Sequence, residues 1–530
     1  MTSIVWFKRD LRLHDHLPLL EAVRRGPCVC LYIYEPLVLE DPCFEASHLG
    51  FLNESLEVLQ AQLLTIGGRL ITRRGEAISV LQQLHHETGF QRLYSHEETG
   101  QWTTYQRDVA VARWAKTAGI EWQEFPTNGV VRHLKSRDGW SAIWGKRMSM
   151  PVLQAPNHIH SPEGLETAGI INNALELCVK PTVKTNARQK GGTTEASELL
   201  ESFFQGRGQN YSRGISSPLT AEHSCSRLSP YLTFGCLSVK QVHQACQKSK
   251  AILRQSTLPE ARRLARSVTA FDGRMHWHCH FIQKLEQRPE LEFENLVTLC
   301  NDLREGEFNP DYFEAWQQGR TGFPMIDACM RSLIATGWLN FRMRAMLVSF
   351  ASYHLWLDWR QTSKFLGRHF LDYEPGIHYS QIQMQSGTAG HSVLRMYNPT
   401  KQGQDHDPQG EFIRRWLPEL EGVPTAFLHE PWRLTNGDQT RYNCQIGKDY
   451  PAPIIDQKAA ITYARQRFTQ LRQHPAFQQQ AKRIQQQIGS RKKSPPTRQS
   501  ATNQGANQNA KPRTRKTRTP DALQADLFDP

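Results

Sequence analysis

Residues 319–361 read GRTGFPMIDACMRSLIATGWLNFRMRAMLVSFASYHLWLDWRQ. Two further runs follow, FLDYEPGIHYSQIQMQSG over 370–387 and YNPTKQGQDHDPQGEFIRRWLPEL over 397–420. A Gly-Pro turn leads into a short helix from about Met325, Gly337 breaks it, and a longer helix is expected from Asn340 to Leu357. Ile326, Met330, Leu333 and Ile334 recur at helical spacing, and Leu347, Phe350 and His354 continue the apolar surface. Arg331, Arg342 and Arg344 interrupt that surface, and Asp372 and Glu374 stand just before Pro375-Gly376. Cations inside an apolar helix, followed by carboxylates, fit buried charge around a polar ligand. They equally fit a salt-bridged helical core, and spacing alone leaves both open.

Outward from this stretch, residues 1–130 alternate short apolar runs with helical ones. Ile4–Phe7, Val29–Tyr34, Arg69–Thr72, Arg92–Tyr94 and Glu121–Phe125 read as strands, and Leu49–Leu64, Glu76–His86 and Asp108–Ala118 as helices between them. The pattern predicts an α/β N-terminal domain with a doubly wound parallel sheet. It contains no GxGxxG, so nothing there points to a dinucleotide. Residues 131–195, with four prolines and Gly191-Gly192, read as a connector of weak periodicity. Residues 196–487 read as an all-α domain. From 488 to 530 the composition turns to Lys, Arg, Ser, Pro, Gln and Asn, a tail too polar to fold alone.

The chain has 530 residues and a net charge of +13. Residues 489–530 hold nine Lys/Arg against three Asp, so about half of the excess lies in the body. A basic body suits a polyanion such as nucleic acid, although solubility by itself would also account for surface charge. No apolar run approaches the ~20 residues that span a bilayer. The N-terminus lacks a basic-then-apolar signal segment, which leads to the expectation of a cytoplasmic monomer. The eleven cysteines include no CxxC pair and suit reduced thiols. His276 and His280 are four residues apart with Cys279 beside them, but no fourth ligand accompanies them. They read as polar residues lining a cavity, and no metal is expected.

The runs GRTGFPMIDACMRSLIATGW and YNPTKQGQDHDPQGEFIRRWLPEL and the dipeptide Asp358-Trp359 resemble the flavin domain of the photolyase/cryptochrome family. IVWFKRDLRLHDHLPL near the start is similar to that family's first strand and turn, and SRLSPYLTFGCLS (226–238) to its segment for the flavin phosphates. The similarity extends from about residue 3 to 480. It implies FAD held by Tyr211, Cys225, Ser226, Arg227, Leu228, Ser229, Phe271, Arg344, Asp372, Tyr373, Glu374 and His378. Cys225 stands where most relatives have Thr, and Glu374 where Asp is usual. His378 falls at the position facing flavin N5, where a titratable imidazole would tie flavin protonation to pH. The N-terminal domain of the family holds an antenna pigment, a folate or a deazaflavin, and neither HLGFLNESL nor HEETGQWTTYQRD identifies which.

The implied activity is light-driven repair of pyrimidine dimers in DNA by reduced FAD. Trp277, Trp359 and His378 are the catalytic candidates, and Arg274, Trp277, His278, Phe341, Arg342 and Gln402 the DNA contacts. The alternative is a cryptochrome-like light receptor. Arg274 replaces the usual carboxylate, Phe341 and Ala345 replace polar and Met contacts, and Ile382 and Gly306 break the usual tryptophan chain, leaving Trp359. The ending QADLF resembles a peptide by which bacterial repair and replication proteins bind the sliding clamp, with Gln524, Leu527 and Phe528 as its contacts.

Overall fold

The computed structural model describes residues 2–180, 187–390 and 394–490. Five parallel strands form one sheet: β1 (Ser3–Phe7), β2 (Cys28–Tyr34), β3 (Leu70–Arg74), β4 (Arg92–His96) and β5 (Glu121–Phe125), in the order β3-β2-β1-β4-β5. Every residue of β1 and β2 is buried, which is why both read as unbroken apolar runs and not as alternating ones. The strand order reverses between β1 and β4. The loops after these two strands therefore diverge and open a crevice at the C-terminal edge of the sheet.

The expected connector is more ordered than its composition predicts. Trp140–Ser149 forms a helix with Trp140, Trp144 and Met148 buried, four residues apart each time. This periodicity was present in the sequence but short, and the surrounding prolines masked it. One continuous apolar cluster runs from one face of the sheet (Val5, Cys30, Tyr34) through Trp140 and Ile159 to Tyr231, Val242 and Phe271. A second core fills the helical half around Ile326, Met346, Trp359 and Phe412. The sheet and the first helices beyond the connector thus share one hydrophobic cluster.

The GRTGFP turn is held by Asp327. Its carboxylate accepts from Thr321 N (2.8 Å), Thr321 Oγ1 (2.6 Å), Gly322 N (3.0 Å) and Tyr450 Oη (2.6 Å). Gly322 has φ +79°, and a Cβ there would strike the backbone of Ala452. The helix that follows, Pro324–Thr336, starts on proline and ends at Gly337 with φ +70°. The expected long helix from Asn340 to Leu357 is shorter. It is α-helical over Phe341–Ser349 and π-helical over Phe350–His354, and Trp356 with φ +54° ends it. The buried Arg304 guanidinium sits 4.7 Å from the Trp356 ring and donates to the Ser352 and Ser386 carbonyls, which fixes this unusual exit. Among the described residues no helix is long and apolar enough to cross a membrane.

Candidate functional site

The Pro259–Gln287 helix has two working faces. Phe271, Arg274, Trp277, His278 and Phe281 recur at helical spacing and line a cavity of about 330 Å³. His276 and His280 point the other way, onto the connector helix. His276 meets Ser141 Oγ at 3.1 Å and packs on Trp140 and Trp144, and His280 accepts from Arg137. The expectation that these two histidines line the cavity is therefore corrected: the aromatic surface of Trp140 and Trp144 draws them to the opposite side.

Opposite this helix, Phe341, Arg342, Arg344 and Ala345 project into the cavity from Phe341–Ser349. Asp372, Tyr373, Glu374 and His378 do so from the start of the Pro375–Ser386 helix. Tyr211 and the loop Cys225-Ser226-Arg227-Leu228-Ser229 close a third side. All twelve residues expected to hold a cofactor, and five of the six expected to contact DNA, thus line one space. Gln402 does not. It lies on the neighbouring Pro399–His406 helix, with a buried side-chain oxygen lacking a partner. Trp359 is also behind the wall: it is 1% exposed, donates to Asn295 Oδ1 (2.7 Å) and stands 6.3 Å from the ring of Tyr379.

Arg344 and Asp372 form a bidentate pair, with both N–H···O distances 2.9 Å. Burial works against the Asp372 charge, but the guanidinium more than offsets it and holds the carboxyl below its usual range. Arg344 also donates to the Leu339 carbonyl (2.6 Å) and lies 4.1 Å from the Phe370 ring, so its fork is fixed. Glu374 pairs with Arg9 from the loop after β1, an ion pair joining the two halves of the molecule. Burial still keeps its carboxyl above the usual value. The Arg9 contact escaped sequence reasoning because 365 residues separate the partners.

In the loop, Arg207 donates to the carbonyls of Cys225 and Ser226 and so anchors its outer side. Arg227 adopts φ +61° and stacks 4.0 Å from the Trp338 ring. Burial pushes the Cys225 thiol up to about 12, so it serves as a small neutral group and no thiolate. Arg274 bonds the buried Tyr211 hydroxyl. His378 Nε2 lies 3.0 Å from the Ser363 carbonyl, and burial lowers its pKa to about 4. The ring is neutral near pH 7, which corrects the expectation of a titratable group there.

Several buried polar atoms facing this cavity have no partner within the described protein: Glu374 Oε1, Gln381 Oε1, Gln385 Oε1, His278 Nδ1 and Arg342 Nε. Native interiors rarely leave such groups unpaired, so a polar ligand is the natural complement. Gln381 and Gln385 were not singled out from the sequence. Their four-residue spacing was visible, but their direction depends on how the helix docks.

The crevice at the sheet edge contrasts with this. Asp10 Oδ2 takes His16 Nε2 at 3.0 Å and His96 Nδ1 at 2.6 Å. These three atoms lie within metal-ligating distance of one another. His16 Nδ1, however, accepts the Leu19 N–H (3.2 Å), which obliges Nε2 to carry the proton given to Asp10. The cluster closes as a hydrogen-bond network. Arg107 meanwhile binds Glu35, Glu98 and Asp108 at 2.6–2.9 Å.

Two family profiles match the chain. DNA photolyase covers residues 3–138, and the FAD binding domain of DNA photolyase covers 271–470. A cryptochrome DASH from Gloeobacter violaceus is 29% identical over 87% of this chain and 95% of its own length. A deoxyribodipyrimidine photo-lyase from Agrobacterium fabrum is 28% identical over 87% and 97%. The crystal structure of a bacterial class III photolyase from Agrobacterium tumefaciens superposes with TM-score 0.77 at 26% identity, covering 89% of this chain and 98% of that one. With both of its domains matched in order, and with the Arg344–Asp372 cavity lying inside the matched FAD-binding segment, the chain belongs to the photolyase/cryptochrome family.

Proposed function

We propose that the protein is a light-driven DNA repair enzyme that uses reduced FAD to split pyrimidine dimers. When bound, the flavin supplies the light absorption and the electron that cleaves the dimer. The observation that carries the reading is that one cavity joins two kinds of wall. At its inner end stand the Arg344–Asp372 pair and the partnerless oxygens of Glu374, Gln381 and Gln385, acceptors suited to the N–H groups of a flavin. Opposite stand Trp277, stacked on Phe281 at 5.7 Å, and the cations Arg274 and Arg342. An aromatic face between cations suits a base turned out of the duplex. The protein's part is to hold both ligands in register, exclude water and keep charges paired. Tyr211 and Cys225–Ser229 would take the diphosphate side.

A second reading is a light receptor that binds FAD and repairs nothing. One observation favours it: Arg274 occupies the expected carboxylate position and is engaged with Tyr211, which leaves that side of the cavity without an acid to receive or return a proton. The deciding experiment illuminates chemically reduced protein with dimer-containing single- and double-stranded DNA. Repair is expected, and Trp277→Ala should weaken damaged-DNA binding by ~1–3 kcal/mol, the contribution of a stacked base. Dimers that persist on both substrates sink the repair reading.

A second chromophore is part of the same reading. A cavity of about 110 Å³ at the sheet edge, lined by Tyr32, Phe44, His48 and Tyr373, and an open groove beside Trp102 and Tyr105 are its candidate seats. The sliding-clamp contact through Gln524, Leu527 and Phe528 lies outside the described residues. It is tested by clamp binding of a 515–530 peptide against its Leu527→Ala, Phe528→Ala form; equally poor binding removes it.

A further inference from the structure

The wall that carries Arg274 and Trp277 continues beyond the cavity. Both sit on the Pro259–Gln287 helix, and its first three turns, from Pro259 to Ala270, line none of that space. Eleven residues make about three turns at 3.6 per turn, so Arg263 stands in line with Arg274, and Arg266 with Trp277. Arg262 and Arg266 are exposed and form no ion pair among the described residues. Arg263 has Glu260 of the same helix at 3.4 Å, a pair largely open to water and worth little. The other acid of this stretch, Asp272, is taken by His243 and Lys250 of the Val239–Arg254 helix, each at 2.7 Å. Between the outer arginines and Trp277 the outward positions are small. Thr269 and Gly273 are exposed, Ala270 is half-buried, and a Cβ at Gly273 would meet nothing within 4 Å.

Unpaired charge of one sign, continuing an aromatic and cationic wall, suits a phosphodiester backbone that runs out of the cavity. Small residues let such a backbone lie close against the helix. From Arg262 to Arg274 the helix rises about 18 Å, at 1.5 Å per residue. That spans about five nucleotides of one DNA strand at ~3.4 Å each. The helix leaves the cavity in one direction only, because its other end, from Phe281 to Leu285, is buried in the fold. We propose that Arg262 and Arg266 bind the phosphates of the DNA strand flanking the flipped base, on one side of it. The proposal rests on the repair reading above.

Dark binding of a dimer-containing duplex, followed by fluorescence anisotropy across salt concentrations, tests it. Arg262→Gln, Arg266→Gln should flatten the slope of log K against log salt by about 1.8, or 0.9 per phosphate neutralised. Arg262→Lys, Arg266→Lys, which keeps the charge, should keep the slope. Arg113→Gln, Lys116→Gln removes the same charge from the exposed side of the Trp102–Thr117 helix and should leave the slope unchanged. Further duplexes are cut to two nucleotides beside the dimer, on the 5′ or on the 3′ side. The deficit of the Gln variant at Arg262 and Arg266 should vanish on one of these and persist on the other. An unchanged slope in that variant, equal flattening in the Arg113, Lys116 control, or a deficit indifferent to which flank is cut overturns the proposal and leaves the repair reading standing. A wild-type protein that binds no DNA overturns both.

Discussion

The flavin-type cavity and the crevice at the sheet edge are built from the same materials, buried arginines, carboxylates and histidines, yet they differ in how far those groups satisfy one another. In the crevice Asp10 is satisfied by His16 and His96, and Arg107 by three carboxylates. In the cavity Glu374, Gln381, Gln385, His278 and Arg342 each keep a buried atom without a partner. A network closed as tightly as that around Asp10 stabilises the fold by itself. An open one costs stability until a ligand completes it. Burial and perturbed titration mark both regions as sites; the two differ in degree, since five partnerless atoms face the one cavity while the crevice keeps Glu35 Oε2 and Arg12 Nε.

The largest effect that would sharpen this contrast is Asp372→Ala. It leaves Arg344 facing the cavity without its counter-charge, costing about 3 kcal/mol, the lower end for a buried pair because Arg344 is partly open to the cavity. The protein should also purify largely colourless. Normal flavin content in this variant would remove the pair from the ligand site. Asp10→Asn should cost about 2 kcal/mol, since two imidazole donors lose a charged acceptor. Its flavin content should be that of the wild type. If Asp10→Asn also empties the protein of flavin, the two regions are coupled and the contrast between them fails.

How much of this was legible in the sequence follows the same division. The strands were visible because β1 and β2 are buried throughout and apolar but for Ser3, and the turn at Gly322 because glycine and proline mark it. The cavity residues were legible through the family's motifs, which carry their spacing. What was hidden depended on contacts distant in sequence. The Arg9–Glu374 pair joins the loop after β1 to the flavin segment, and no local pattern announces it. The outward turn of His276 and His280 depended on Trp140 and Trp144 in a segment dominated by prolines. The early end of the Phe341–Ser349 helix depended on Arg304, a buried cation caged by Tyr353, Trp356 and Phe468. His378 lines the cavity, but its neutrality was hidden, because it follows from burial and not from residue type.

The smallest effect concerns acid, and it separates the regions most finely. Burial, aided by the neighbouring His16, lowers His96 in the crevice to about 3, and burial lowers His378 in the cavity to about 4. Both lie below the ~6.5 of an unfolded histidine. Between those values the unfolded chain binds more protons than the folded one, so stability falls as pH drops below about 6.5 and is fully present above about 7. Each imidazole contributes at most ~1.4 kcal/mol per pH unit in that window. Asp10 is held below its ordinary carboxyl value, so its own loss comes only at lower pH. Urea midpoints at pH 5 and 7 for wild type, His96→Asn and His378→Gln should show a flatter dependence in both variants. Flavin then divides them. The Asp10–His16–His96 cluster is closed with or without the cofactor, so the His96 contribution should be the same in flavin-free and flavin-loaded protein. The cavity wall around His378 is open to water until it is filled, and filling it strips that water and disfavours the imidazolium further. The His378 contribution should therefore grow on loading. Equal growth at both positions, or at neither, would mean that the cavity wall is as closed as the crevice and that its partnerless atoms do not mark a ligand site.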